Sequence, residues 1–467
     1  MLFTGVISMY PFLYSLLLKN PVRKEGDGKK EMTKLKRKHG ILLIGGALLV
    51  LCAFIGTASA ADIYVPDNYE KIQWAVNNAT EGETIIVRDG TYTENVAVNK
   101  TRLTIRSENG SATTIVEALD TNDHVFNVST DYVNISGFTV KNATGLGKQG
   151  IRLVGVDHCN ISDNNASNNA YGIGLSNSSN NNLSSNIASN NIWGIWLYDS
   201  SNYNTLTSNS ASNNAYGIWL YDSSNNNLSS NIASNNWPYG YGIELYYSSN
   251  NNLSSNIASN NVFCGIDLGH SSNNNLSSNN ASNNDYGIEL YYSSNNLIYN
   301  NYFNNTNNAY DDGSNIWNTT KTKGTNIIGG PYLGGNYWSD YAGIDTDGDG
   351  LGDTSIPYNS SGNISNGGDY LPLTTRTPQT VTTDIINDVN VLVDDGELNQ
   401  GQGIALIQKL EEAITKMDLG DAIAASKLLQ AFINNVNSFV EEGILSADEG
   451  QSLIDSANEI INALCET

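Results

Sequence analysis

Two sets of residues in the 467-residue chain have the types and spacing to do chemistry. The first is the run DTDGDGLGD, in which Asp345, Asp347, Asp349 and Asp353 fall at loop positions 1, 3, 5 and 9. Gly350 supplies the sharp turn at position 6, and Leu351 offers a carbonyl at position 7. Oxygen donors in this order suit Ca²⁺, and the expected ligand set is Asp345, Asp347, Asp349, Leu351 and Asp353, completed by a nearby acid such as Asp340. Position 12 is Ile356, which rules out a full helix-loop-helix calcium site. The second set is the third residue of a recurring Gly-Ile-x-Leu tetrad: Arg152, Gly174, Trp196, Trp219, Glu244, Asp267 and Glu289 in chain order. Tyr198, Tyr221, Tyr246 and Tyr291 stand two residues further on. Aromatic rings beside carboxylates are what a neutral glycan requires, because sugar C–H faces stack on flat rings while acids accept hydroxyl hydrogen bonds. Trp196, Trp219, Tyr198, Tyr221, Tyr246 and Tyr291 are therefore the candidate glycan-binding residues. Glu244, Asp267 and Glu289 are the candidates for catalysis, since carboxylates one or two coils apart bracket the spacings of retaining and inverting glycosidases.

These residues must be held by the repeat that carries them. The tetrads begin at Gly150, Gly172, Gly194, Gly217, Gly242, Gly265 and Gly287, a period near 22 residues. Such a period is one solenoid coil per repeat. Apolar residues alternate in short runs separated by Asn and Ser, with no 3.6 spacing, so the coil consists of short strands and polar turns. The expected fold is a right-handed parallel β-helix. Stacked coils superpose the tetrad Ile and Leu residues into inner ladders, with a third ladder through Leu183, Leu206, Leu228, Leu253, Leu276 and Leu297 and a small one through Ala166, Ala188, Ala211, Ala233, Ala258 and Ala281. Strand alternation then turns the x position outward. Asn tolerates the left-handed backbone of sharp corners and stacks by hydrogen bonding. The two extra residues between Gly217 and Gly242 fall at Trp237-Pro238 and predict a loop bulging from one corner.

The ends of the chain bound its context. From Met32 a basic stretch, an apolar run and small residues at Ala58 and Ala60 read as a signal peptide, residues 32–60, with 1–31 an upstream mis-start extension. Cleavage after Ala60 would remove 9 of 23 Lys and Arg and 3 of 47 Asp and Glu, leaving 14 against 44 and a formal charge of −30. So acidic a chain is not a nucleic-acid binder, and the mature part carries no apolar run long enough for a transmembrane helix. Cys52, Cys159, Cys264 and Cys465 do not form a disulfide framework. The expected boundaries are 61–320 for the β-helix and its N-terminal capping helix, opened by a capping box from Asp67 to Glu70, and 321–372 for a C-terminal cap holding the calcium loop. A linker over 373–383 and a helical domain over 384–467 follow. In that domain VDDGELNQGQGIALI recurs 47 residues later as VEEGILSADEGQSLI, each copy with a capping box, Asn399 to Gln402 and Ser446 to Glu449. The pattern is a duplicated helical hairpin.

On YVPDNYEKIQWAVNNATEGETIIVRDGTYTENVAV, the GIxL repeats, NAYDDGSNIWN and TNIIGGPYLGGNYWSDYAGIDTDGDGLGDTSIPY, residues 63–373 resemble the NosD-like, carbohydrate-binding and sugar-hydrolysis type of β-helix protein, with a pectin-lyase-like fold. The helical domain resembles the FIMAH domain of secreted prokaryotic proteins. The resemblance implies the fold and an extracellular setting, and through the NosD name a link to copper. Soft donors are sparse, however: Met417 is the one Met after Ala60, and His124, His158 and His270 lie in different coils. No Lys or Arg occurs from Val154 to Thr320, which excludes the cationic cradle that acidic polysaccharides need. The function expected is a secreted or cell-surface protein that binds glycans or joins the cell envelope without catalysis, its helical domain serving as a spacer or docking to a protein partner. The alternatives are a glycoside hydrolase or lyase acting on a neutral polysaccharide, and a structural adhesin.

Overall fold

The computed structural model describes residues 62–466, so the expectations for the signal peptide and the segment before it lie outside the described residues. Parallel strands stack coil on coil into an 11-stranded sheet, a 10-stranded sheet and a third wall built of 3- and 4-stranded sheets joined by single bridges. The 10-stranded sheet carries the tetrads on six-residue strands such as Trp193–Tyr198, Tyr216–Tyr221, Tyr241–Tyr246, Cys264–Gly269 and Tyr286–Tyr291. The β-solenoid expected from the period is present.

Its core is made of ladders. Ile195, Ile218 and Ile243 pair in register and are fully buried, as are Leu197, Leu220 and Leu245. Ala188, Ala211 and Ala233 fill the narrow wall with nothing exposed. The third ladder departs from expectation at its last step, because Leu276 pairs with Ile298, not Leu297, and it is Ile298 that is buried. The tetrad glycine is the one residue that fits its place: a Cβ on Gly217 would lie 2.4 Å from the Gly242 carbonyl of the next coil.

Three asparagine ladders line the corners. In the longest, Asn164, Asn186, Asn209, Asn231, Asn256, Asn279, Asn301 and Asn336 each send Nδ2 to the Oδ1 of the next. Backbone N–H groups join the same acceptors, as from Asn209 and Asn231. Side-chain dipoles so aligned leave unpaired donors at the C-terminal end, where an acceptor is required. An aspartate supplies it on all three ladders: Asp369 accepts from Asn336, Asp311 from Asn315 and Asp340 from Asn308.

The N-terminal cap is the helix Ile72–Asn78, which buries Ile72, Ala75 and Val76. The expected capping box is absent. No side chain of the segment caps the helix; Glu94 of the following coil accepts from the Ile72 and Gln73 N–H groups at 2.9 and 3.0 Å, while Asn68 turns to Tyr64.

At the other end the helix Pro378–Asp394 starts six residues ahead of Asp384, so half of the Thr-rich stretch expected as linker is helix, capped by Thr377 with proline in its first turn. Gln400–Asp418, Ala422–Glu441 and Ala447–Glu466 complete a four-helix ring in which the first and last helices touch. Both expected capping boxes are present. The duplication is structural as well: a Cβ on Gly403 would strike Val393 Cγ2 at 2.3 Å, and one on Gly450 would strike Val440 Cγ2 at 2.2 Å. Among the described residues no helix is long and apolar enough to cross a membrane.

An aromatic and acidic face on the long-strand sheet

The x positions form one column across the 10-stranded sheet, Arg152, Gly174, Trp196, Trp219, Glu244, Asp267, Glu289 and then Tyr310. Adjacent coils hold these side chains about 4.8 Å apart at the backbone. On one side stands the column Tyr198, Tyr221, Tyr246, Gly269, Tyr291. Tyr221 stacks on Tyr246 at 6.0 Å, and the Tyr246 ring leans across the gap at Gly269, where a Cβ would meet it at 2.6 Å. All nine residues proposed from sequence for this face therefore lie on it together.

On the other side stands a column that sequence reasoning missed: Tyr171, Trp193, Tyr216, Tyr241, Cys264 and Tyr286. Tyr216 stacks on Tyr241 at 5.5 Å and on Trp219 at 5.7 Å, and Tyr239 from the bulging loop stacks on Tyr216 at 5.4 Å. The loop expected at Trp237-Pro238 is present, and it holds Trp237 71% and Tyr239 59% exposed over this edge. Trp196 and Trp219 lie nearly parallel at 5.7 Å, and Trp196 also covers Tyr198 at 3.8 Å. Much of their ring surface is thus spent within the protein, and the exposed rings on and beside this face are Trp237, Tyr239, Tyr221 and Tyr291.

The carboxyls between these columns are unusual in having no partner. No hydrogen bond or ion pair reaches the side chains of Glu244, Asp267 or Glu289 among the described residues, and Glu244 Oε2 is wholly enclosed. Burial pushes Glu244 up to about 7. Asp267 is raised well above the usual carboxylate range by burial and then by its neighbours Glu244 and Glu289, and Glu289 is raised by burial and then by Asp285. Glu244 can therefore hold a proton near neutrality, and so donate a hydrogen bond or act as a general acid.

The 345–353 loop sits where the solenoid cap meets the helices: Ile344 is buried in the helical core, and the Asp345 N–H donates to the Arg376 carbonyl at 2.7 Å. Asp345, Asp347 and Asp353 bring one carboxylate oxygen each within 4.8 Å of one another. Asp349 is drawn instead into an ion pair with Lys321, while its other oxygen accepts from the Leu351 N–H. Leu351 is buried at a bridge to Leu373. Asp340 is bound to Tyr358 and Asn308 at the foot of an asparagine ladder. Burial raises Asp345, with bonds from Gly350 and Gly348 opposing and the charges of Asp347 and Asp353 adding.

A copper site does not fit the donors. His124 Nδ1 accepts from the Gln149 N–H and burial lowers its pKa to about 4; His158 stacks on Tyr132, and His270 between Tyr247 and Tyr292. Cys159 and Cys264 are buried in the solenoid, and Met417 in the helical core. Among the described residues the one convergence of three His, Cys, Asp or Glu is the all-oxygen Asp345, Asp347, Asp353 group, which is hard-cation chemistry.

A cell surface glycoprotein of Methanothermus fervidus is 35% identical over 137 residues, which are 28% of this chain and 21% of that protein. The chain thus spans about a fifth of the length of the curated relative it matches. The ORF18 structure of Geobacillus virus E2 is similar at 15% identity and TM-score 0.50, over 63% of this chain and 64% of that one, a likeness of fold. The Azotobacter vinelandii mannuronan C-5 epimerase AlgE4 A-module is 16% identical with TM-score 0.44, over 55% and 89%. Residues 382–462 match the FIMAH domain. Residues 76–244 and 194–343 match the family described as periplasmic copper-binding protein (NosD), and because these spans together cover more than half of the sequence, the chain belongs to the NosD family.

Proposed function

We propose that this is an extracellular, cell-surface β-helix protein that binds a glycan along the tetrad face of its 10-stranded sheet. The observation carrying the reading is the strip Glu244, Asp267, Glu289, unpartnered carboxyls whose outer two, Glu244 and Glu289, have a tyrosine on each side. Tyrosine and tryptophan beside an unsatisfied polar floor is the composition of sugar subsites, where rings take the C–H faces and polar groups take hydroxyls. The surface setting is supported by the name of the Methanothermus fervidus relative, by the periplasmic description of the family and by the signal-peptide pattern at 32–60. Within this reading the 345–353 loop holds Ca²⁺ through Asp345, Asp347 and Asp353, with Leu351 and Asp349 adjacent, and ties the cap to the helices. The helical module is a spacer or a dock for another envelope component.

The test is oligosaccharide binding by the whole exported chain. Binding that falls at least tenfold in a Trp196→Ala, Trp219→Ala double variant, or on Trp237→Ala, supports the reading; wild-type protein with no affinity across a broad glycan panel refutes it. A second reading, glycoside hydrolysis, is favoured by one observation, the Glu244 carboxyl held near 7 beside other acids. Turnover lost in Glu244→Gln with binding retained would establish it, and a panel bound without turnover would remove it.

A further inference from the structure

The acid strip lacks something more specific than hydroxyl partners. Glu244, Asp267 and Glu289 follow one another on three successive coils and accept no hydrogen bond, and the enclosed Glu244 Oε2 is paired to nothing. A buried carboxyl without donors is costly to keep charged, and three ionised in a row would also repel one another, so the strip either holds protons or takes a cation in their place. The protein offers no relief, since no Lys or Arg occurs from Val154 to Thr320. Beside Glu244 and Glu289 stand Tyr246 and Tyr291 on one side and Tyr241 and Tyr286 on the other, aromatic rings of the kind that attract cations. Aromatic walls with carboxylates at the floor make a receptor for an ammonium group, which brings several N–H donors and cancels charge where a hydroxyl brings one donor and cancels none.

Resting on the glycan-binding reading, we infer that the ligand is an amine-bearing glycan, its ammonium groups lying on the Glu244, Asp267, Glu289 strip and its sugar faces against the flanking rings. The strip runs along the solenoid axis at about 4.8 Å per coil, so a linear chain lies along that axis with amines meeting acids on successive or alternate coils. The same electrostatics repels polyuronates.

The probes are glucosamine oligomers and N-acetylglucosamine oligomers of equal length, titrated calorimetrically into the exported chain near pH 6 at low and moderate salt. The free-amine series should bind at least tenfold tighter. A Glu244→Gln, Asp267→Asn double variant, close in shape and folded by circular dichroism, should lose that preference. Equal or tighter binding of the N-acetylated series overturns the inference while leaving glycan binding intact. A preference kept by the double variant also overturns it, because the overall charge of the exported chain, 14 Lys and Arg against 44 Asp and Glu, would then be its source. If neither series nor any other glycan binds, the inference and the function it rests on fall together.

Discussion

Asn231 offers the sharpest test of how the solenoid holds the face in place. Its Oδ1 accepts from the Asn209 N–H and from Asn209 Nδ2, both at 3.0 Å, and its Nδ2 donates to the Leu206 carbonyl at 2.9 Å and to Asn256 Oδ1 at 3.0 Å. The residue is fully buried. Asn231→Ala leaves a backbone N–H, one amide hydrogen and one carbonyl contact without partners. Unpaired buried groups cost about 1–3 kcal/mol each, so the expected loss is about 3–9 kcal/mol, less if a water enters the space vacated. Asn231→Asp separates lost bonding from lost volume. Its first oxygen still accepts from Asn209, but the second faces the Leu206 carbonyl and Asn256 Oδ1 and must carry a proton to donate to either. A carboxyl whose folded pKa is raised contributes stability that is full below its unfolded pKa and lost as pH climbs through the folded one. The Asp variant should therefore approach wild type near pH 4 and fall steadily towards pH 8. Urea denaturation followed by circular dichroism at both pH values measures this. An Ala variant within about 1 kcal/mol of wild type, or an Asp variant indifferent to pH, would refute the ladder as a source of stability.

Chelation should lower the melting temperature and speed proteolysis of the 373–383 stretch, since the 345–353 loop joins cap to helices; superimposable melts in EDTA and excess Ca²⁺, with Asp347→Ala binding calcium as wild type does, would exclude the site. Glu94→Ala strips both acceptors from the N-terminal helix and should cost about 1–3 kcal/mol, whereas Asp67→Ala should cost the helix nothing, a contrast measurable by denaturation of the pair. Glu244 and Asp369 are both pushed up to about 7 by burial, and Asp267, Glu289 and Asp311 move the same way. Their stabilising contribution is complete below their unfolded values near 4 and is lost as pH rises through the folded ones, about 7 for Glu244 and Asp369. Melting temperature in EDTA should accordingly drop from pH 5 to pH 8, and Glu244→Gln with Asp267→Asn should flatten the drop; a rise over that range contradicts the assignment.

How much of this was legible depended on whether the signal was local. The Ile, Leu and Ala ladders were readable because stacking forces the same residue type into the same place in every coil. The slip at Leu297 arose from aligning leucines when the asparagines hold the register. Asn296 follows Asn274 in its ladder, which puts Leu297 over Asn275 and Ile298 over Leu276, because the last coil has one fewer Asn before its Leu. The capping box failed because a four-residue motif cannot reveal Glu94, which sits 22 residues beyond Ile72. Asp349 was counted by loop position, but Lys321 reaches it from outside the loop.

The missed aromatic column has a more instructive cause. Strict alternation from Ile218 puts Tyr216 inside with it. The pairing register, however, steps from Tyr216 to Ile218 without Gly217, whose missing side chain lets the next coil close in, and Tyr216 stacks on the outward Trp219. The letters were plain in YGIWL and WGIWL; what was missing was the consequence of a glycine that must be glycine. The positions a solenoid must repeat therefore describe the scaffold, and the positions free to vary are where selection for a ligand can act. Along this sheet the x column changes from Trp196 and Trp219 to Glu244, Asp267 and Glu289 within one continuous backbone geometry. The change coincides with the bulging loop, whose Tyr239 stacks on Tyr216, and with Cys264 and Gly269 in the flanking columns, so the coils of this face differ in packing as well as in charge.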